Sequence, residues 1–198
     1  MKDAIIISKK IVLTATLCAG LLANAGTNNN IFDKRDVVKT ALTINNVKEG
    51  NVLSIKDNYG TTLYKEFIEA SGTYNKGFDL TALPNGDYVF EINKDVEIKI
   101  IPFTVISNEV VFNKAAEVTV FKPTVRMENN FLFISQLSLN ASPLEIEIYA
   151  DVNGSYELLH SDKTENAQII EKTFKLEKGN YKIKINSENQ EYTKFINN

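Results

Sequence analysis

The sequence predicts an all-β protein in which two tandem antiparallel β-sandwich domains follow a cleavable signal peptide. Three observations support this fold class. Most segments after residue 35 alternate apolar and polar residues with a period of two, which is typical of half-buried strands. Asn- and Gly-containing turns separate these segments at short intervals. Landmarks in the first half of the chain also recur in the second half.

The alternation places isoleucines or aromatic residues on one face of each predicted strand and polar residues on the other. Glu145 and Glu147, for example, alternate with apolar neighbours. Predicted strands end at turns such as Asn153-Gly154, a strong hairpin signal. No stretch of ten or more residues has a convincing 3.6-residue apolar period, so we predict no long helix. The clearest alternating segments are residues 88–92, 96–100, 144–148 and 181–185.

The first 25 residues predict a secretory signal peptide. Lysines precede an apolar run over residues 11–22, and Ala23-Asn24-Ala25 has the small-x-small pattern of a cleavage site. We therefore expect cleavage between Ala25 and Gly26. The apolar run is shorter than the roughly 20 residues that a spanning helix needs, so no transmembrane span should remain after cleavage. Residues 26–35 are predicted to form a flexible leader.

Cleavage would change the chemistry of the mature chain. It would remove Cys18, the only cysteine, so disulfides could not stabilise the mature protein. It would also remove three lysines and one aspartate, which moves the formal net charge from −3 to about −5. Nucleic-acid-binding proteins carry clustered positive charge, so we expect no nucleic-acid partner.

Two pairs of landmarks define the internal repeat. Gly60 and Gly154 are 94 positions apart, and Tyr88 and Tyr181 are 93 positions apart. A period this long predicts two tandem domains rather than a solenoid of small repeats. We place the boundary beside Pro123, because proline interrupts a β ladder. The predicted domains are residues 36–122 and 123–198.

Each repeated tyrosine follows a leucine and a glycine to which we assign roles in the fold. Gly86 and Gly179 precede the tyrosines by two positions and are expected to take a positive φ in a tight connection. Leu80 and Leu176 are expected at the edge of the core. The tyrosine ring is expected to be buried, with its hydroxyl bonded at the rim. These residues describe a scaffold and identify no active site.

The first copy resembles the C-terminal sorting domain of proteins exported by the type IX secretion system of Bacteroidetes. The family pattern is an apolar strand, an Asp-x-x-Gly turn, an Asp-Leu pair and a Leu-Pro-x-Gly-x-Tyr segment before an alternating strand. The second copy matches at fewer positions and lacks the Leu-Pro pair. The matching residues are Asp57, Gly60, Asp79, Leu80, Leu83, Pro84, Gly86 and Tyr88 in the first copy, and Gly179 and Tyr181 in the second.

The resemblance implies Ig-like sandwiches and export to the cell surface or the medium. We expect a secreted, non-enzymatic surface or matrix module whose sorting-domain-like repeat engages the secretion machinery. The alternative is a periplasmic or cell-surface module that binds a glycan or another protein. Exposed tyrosines are the candidates for stacking on a sugar: Tyr59, Tyr64, Tyr74, Tyr149 and Tyr156.

Residues suited to catalysis are few. After cleavage His160 would be the only histidine and no cysteine would remain, so we expect neither a metal centre nor a nucleophile activated by a base, and no cofactor. Paired carboxylates could hydrolyse glycosides, but these carboxylates also fit solvent-facing strand positions and turns. We predict that the protein is not an enzyme. The pairs considered are Glu145 with Glu147, Glu91 with Glu97, and Asp57 with Asp79.

Overall fold

The structure is a computed structural model that describes residues 40–198. The predicted signal peptide, its cleavage site at Ala23, Ala25 and Gly26, and the leader over residues 26–35 lie outside the described residues. Residues 40–198 form fifteen β-strands and one short 3₁₀ helix, Lys114–Ala116. The all-β prediction is confirmed.

The described chain divides into two compact units. Residues 40–94 and 99–118 form the first, and residues 95–98 and 119–198 form the second. Compactness alone does not show independent folding. The predicted folding domains, residues 36–122 and 123–198, therefore stay a prediction.

The first part of the chain supplies eight strands: β1 (Thr40–Val47), β2 (Val52–Asp57), β3 (Thr62–Phe67), β4 (Gly72–Phe78), β5 (Gly86–Asn93), β6 (Glu97–Ile106), β7 (Glu109–Phe112) and β8 (Val118–Phe121). Strands β1 and β4 form one sheet, and a second sheet has the order β3-β2-β5-β6-β7, with β8 beside β6. Side chains from both sheets of the first unit share one core, including Leu42 and Ile44 from β1 and Leu53 and Phe90 from the larger sheet. The first unit is thus an antiparallel sandwich.

The second part of the chain supplies seven strands: β9 (Thr124–Glu128), β10 (Phe131–Leu137), β11 (Leu144–Val152), β12 (Ser155–Thr164), β13 (Ile169–Lys175), β14 (Asn180–Ser187) and β15 (Gln190–Asn197). They form a sheet of order β13-β10-β9 and a sheet of order β12-β11-β14-β15. Leu132 and Ile134 of the first sheet pack with Ile146 and Ile183 of the second. The predicted antiparallel sandwich is confirmed here too.

Both repeated tyrosines lie at the start of a central strand and bond back to the chain just before it. The Tyr88 hydroxyl donates to the carbonyl oxygen of Pro84 at 2.8 Å, and the Tyr181 hydroxyl donates to that of Glu177 at 2.9 Å. Both rings are buried. This arrangement is the tyrosine corner of Ig-like sandwiches, and it explains why the tyrosine recurs in the two copies.

The predicted positive φ at Gly86 and Gly179 is wrong. The turn glycines Gly60 and Gly154 have positive φ, at 81° and 88°, but the two corner glycines do not. Instead, the tyrosine side chain two positions later lies against each corner glycine, and an added Cβ would be 3.6 Å from its nearest atom. A Cβ at that distance would make an ordinary van der Waals contact with the tyrosine, so the close approach of the ring does not by itself require glycine.

Replacing Tyr88 with phenylalanine should cost about 1 kcal/mol of unfolding free energy, because it removes one net hydrogen bond and keeps the buried ring. The midpoint of urea denaturation measures the effect. Tyr59→Phe is the matched control, since the Tyr59 side chain is 88% exposed. Equal midpoints for Tyr88→Phe and the unmodified protein would show that the corner bond adds nothing to stability.

Candidate binding surface

Strand registers identify corresponding residues in the two units. Ile55 lies opposite Phe90 in the first unit, and Ile148 lies opposite Ile183 in the second. Phe90 and Ile183 each follow their corner tyrosine by two positions. The central strand pairs therefore have the same register. Side chains at equivalent positions can be compared, and a contact found in both units belongs to the shared scaffold.

An ion pair between the two sheets recurs in both units. Glu66 of β3 binds Lys76 of β4 in the first unit. In the second unit the Oδ2 of Asp162 on β12 lies 2.9 Å from Nζ of Lys172 on β13. These four residues occupy corresponding strand positions, so the ion pair belongs to the scaffold.

An aromatic contact accompanies each ion pair. The Tyr64 and Phe78 rings lie 5.6 Å apart between centroids, and the His160 and Phe174 rings lie 5.2 Å apart. His160 thus occupies the position of Tyr64 and packs against an aromatic ring. This contact gives the histidine a role in packing between sheets.

Tyr64 and Tyr74 belong to this network and are not stacking residues. Both hydroxyls donate to the Glu66 carboxylate, and Lys76 Nζ donates to the Tyr64 hydroxyl at 3.0 Å. Burial and the hydrogen bond to Glu66 raise the pKa of Tyr74 far above its ordinary range. Burial likewise raises the pKa of Tyr64, so both phenols keep their proton and remain hydrogen-bond donors to Glu66.

Exposed aromatic residues collect on the outer face of the β12-β11-β14-β15 sheet. Tyr149 lies opposite both Leu158 and Lys182, and Lys182 lies opposite Phe195. Residues directly opposite one another share a face, here the face away from the core. The Tyr156 ring reaches across to Phe195, with centroids 5.8 Å apart and ring planes inclined by 55°.

Lys182 lies between two of these rings. Its Nζ is 4.5 Å from the Tyr149 centroid and 4.9 Å from the Tyr156 centroid, within the range of a cation–π contact. Phe195 is 61% exposed and Tyr156 is 39% exposed. We call Tyr149, Tyr156, Lys182 and Phe195 the aromatic face. The exposed rings grouped with a lysine make this face the candidate binding surface of the second unit.

The aromatic face is a property of the second unit. At the corresponding positions of the first unit, Lys56 lies opposite Val89 where the second has Tyr149 opposite Lys182. Nζ of Lys56 lies 2.7 Å from Oε2 of Glu91, in an ordinary ion pair. The two units share a core register, a tyrosine corner and an inter-sheet ion pair, but differ on this face.

Sequence reasoning found only part of this surface. Of the five tyrosines considered for stacking, the structure brings Tyr149 and Tyr156 together, whereas Tyr59 lies on the β2–β3 turn of the first unit. Phe195 and Lys182 were not predicted. Their only signal in the sequence is alternation with core residues, which does not show which strands are neighbours.

The Asp-x-x-Gly part of the sorting-like motif forms a turn. The Asp57 carboxylate accepts hydrogen bonds from the amides of Tyr59 and Thr61 at 2.9 and 2.8 Å. The Gly60 amide donates to the Asp57 carbonyl oxygen at 3.0 Å. Asp57 also lies opposite Tyr88 in the sheet, and Asp57, Gly86 and Tyr88 line one depression of about 270 Å³.

The remaining motif residues shape the connection from β4 to β5. Asp79 accepts a bond from the Thr81 hydroxyl at 2.7 Å, and Leu80 and Leu83 are buried. The Leu83 amide donates to the Leu80 carbonyl oxygen at 3.1 Å. Together with Pro84, which accepts the tyrosine hydroxyl bond, these residues build the corner of the first unit.

The carboxylates considered for catalysis make contacts of an ordinary strand surface. Glu145 lies 3.2 Å from Nζ of Lys163, and Glu147 accepts a bond from the Tyr149 hydroxyl at 2.7 Å. Among residues 40–198, no group of three His, Cys, Asp or Glu side chains is placed to hold a metal ion. No helix in this range is long and apolar enough to cross a bilayer.

Comparisons with known proteins add a likeness of fold type only. No family model matches the chain, and no curated protein matches it. The crystal structure of the CD2-binding domain of CD58, lymphocyte function-associated antigen 3, is similar over 78% of this chain and 90% of that chain, with 14% identity and a TM-score of 0.24. A likeness at this score carries no argument about ligand or function. The strand pairing above therefore defines the class: an all-β protein built from antiparallel sandwiches.

Proposed function

We propose that this chain is an exported, non-enzymatic β-sandwich module that binds a glycan through the aromatic face. The cluster of exposed rings on one outer sheet face carries the proposal, because the corresponding face of the first unit lacks it. The face of an aromatic ring is electron-rich, and the C–H groups of a sugar ring pack favourably against it. Tyr156 and Phe195 present such ring surface to solvent.

The contacts of the acidic residues also fit a binding role. Glu145 and Glu91 are in ion pairs with lysines, and Glu147 accepts a bond from a tyrosine. A glycosidase needs one carboxyl group that donates a proton and a second that acts as base or nucleophile, placed on either side of a bond. The contacts of these carboxylates support a surface that holds a ligand without transforming it.

Binding to a glycan panel, followed by calorimetry on the best ligand, tests the proposal. Tyr156→Ala and Phe195→Ala should each weaken binding about tenfold or more, since aromatic residues at the centre of a binding site dominate its affinity. Phe67→Ala is the matched control, because Phe67 is similarly exposed, at 67%, but belongs to the first unit. Unchanged affinity in both face variants would exclude this surface as the site.

The export part of the proposal rests on residues 1–25 and on the sorting-domain resemblance. Because the aromatic face lies on the second unit, the exported protein must keep residues 123–198. Intact-mass measurement on fractionated cells should give extracellular protein that begins at Gly26 and still contains the second unit. Extracellular protein without the second unit would contradict binding by this face and would support a cleaved sorting signal instead.

A further inference from the structure

We infer that the ligand of the aromatic face is an acidic glycan, whose carboxylate or sulfate is bound by the Lys182 ammonium. This inference rests on the proposed function and specifies the chemistry of its ligand. It depends on how the lysines of this sheet face are paired and on what surrounds Lys182.

The other lysines of this face are neutralised by carboxylates. Nζ of Lys184 lies 3.2 Å from Oε2 of Glu191, and Nζ of Lys163 lies 3.2 Å from Oε1 of Glu145. Lys182 differs, because the contacts that the structure gives its ammonium among the described residues are the faces of two tyrosine rings. It is therefore the lysine of this face whose charge is available to a ligand.

The rings position the Lys182 charge without using its hydrogen-bonding capacity. An ammonium has three N–H donors. A ring face attracts the positive charge but is a weaker hydrogen-bond acceptor than an oxyanion, so the donors remain available to a ligand. Lys182 is half-buried, and its Nζ lies 4.5 Å from the Tyr149 centroid and 4.9 Å from the Tyr156 centroid, so the ammonium lies beside the exposed ring surface. A sugar stacked on Tyr156 and Phe195 would place its substituents next to these donors.

The acidic groups near this site are bound to partners other than Lys182. Glu147 accepts the Tyr149 hydroxyl bond, and Glu191 is paired with Lys184. The chain as a whole has a formal net charge of −3, so its long-range field does not attract polyanions. Preference for an acidic glycan must then come from a local contact, and charge-assisted hydrogen bonds from Lys182 supply one.

Matched pairs of glycans that differ only in charge test the inference. Polygalacturonate is compared with its methyl-esterified form, and dextran sulfate with dextran, by affinity electrophoresis and calorimetry on the full chain. We expect the acidic member of at least one pair to bind about tenfold more tightly, with the difference shrinking as salt is raised. Lys182→Gln should remove the preference, so that the acidic and neutral members of that pair bind with equal affinity.

Two further variants separate the ligand contact from a general effect of charge. Lys182→Arg keeps a cation over the rings and should retain the preference, while Lys184→Gln removes the same charge from a lysine already paired and should also retain it. Thermal melting of each variant checks that the fold is intact. Equal binding to acidic and neutral members would overturn the inference and leave the proposed function standing. No binding to any of the four glycans or to the wider panel would overturn the proposed function itself, and the inference with it.

Discussion

Replacing Phe90 with alanine is expected to lower the unfolding free energy of the first unit by about 3–5 kcal/mol. Phe90 is fully buried, and its ring centroid lies 5.3 Å from that of Phe78 and 5.0 Å from that of Phe103. Truncation would remove these ring contacts and leave a cavity that neighbouring strands can fill only in part. Chemical denaturation followed by tyrosine fluorescence and circular dichroism measures the loss.

Phe67→Ala is the control for this prediction, because its side chain is largely exposed and should change stability by no more than about 0.5 kcal/mol. If the two units fold independently, as the repeat predicts, Phe90→Ala should shift one unfolding transition and leave the other in place. A Phe90→Ala loss no larger than that of the control would show that this ring does not anchor the core.

Replacing Glu66 with glutamine is expected to cost about 1.5–3 kcal/mol, the range for hydrogen bonds to a charged group. The substitution keeps the size of the side chain but removes the charge that binds Lys76 and accepts bonds from Tyr64 and Tyr74. Both side chains of the ion pair are largely buried, at 17% and 20% exposure, so solvent screens the interaction little. Thermal and urea denaturation at neutral pH provide the measurement.

Glu117→Gln is the matched control for this ion pair. Glu117 lies 3.2 Å from Lys99 in the same unit, with both side chains about a third exposed, and surface pairs contribute less than about 1 kcal/mol. Equal costs for the two variants would mean that the inter-sheet network is no stronger than a surface contact.

The effect of Glu66→Gln should also depend on pH. Burial alone would raise the Glu66 pKa, but hydrogen bonds from Lys76, Tyr64 and Tyr74 and the Lys76 charge outweigh it, and the pKa is lowered. Because the folded pKa lies below the unfolded value, the carboxylate stabilises the fold above the unfolded pKa and loses this contribution as pH falls through the folded pKa. The difference between the two proteins should therefore shrink in acid. A constant difference from neutral pH to pH 3 would contradict this.

The strands and the recurrence of the corner tyrosine could be predicted because alternation and turn residues are local signals. Tyr88 and Tyr181 were recognised as equivalent because they lie within similar short segments. The repeated ion pair was missed because its spacing differs: Lys76 and Lys172 are 96 positions apart, whereas the tyrosines are 93 apart. The β4–β5 connection is longer than the β13–β14 connection, and this shift hides the correspondence.

The aromatic face could be predicted only in part, for a different physical reason. Tyr149 and Tyr156 flank one hairpin, so their proximity follows from a local turn. Phe195 meets Tyr156 only because β14 and β15 continue the sheet beyond β11 in a particular register. A shift of one residue in that register would turn Phe195 toward the core. The two-residue turn at Glu188 and Asn189 fixes the register of β14 and β15 locally, whereas β11 and β14 are distant in the sequence and their pairing has no local signal.

The correspondence of Lys56 and Val89 with Tyr149 and Lys182 has an evolutionary consequence. The two units keep the same central register, tyrosine corner and inter-sheet ion pair, but their outer faces differ. A gene with two copies of one scaffold can acquire or lose recognition in one copy through solvent-facing substitutions alone. Selection, or a protein engineer, can therefore change the chemistry of this outer face without changing how the chain folds.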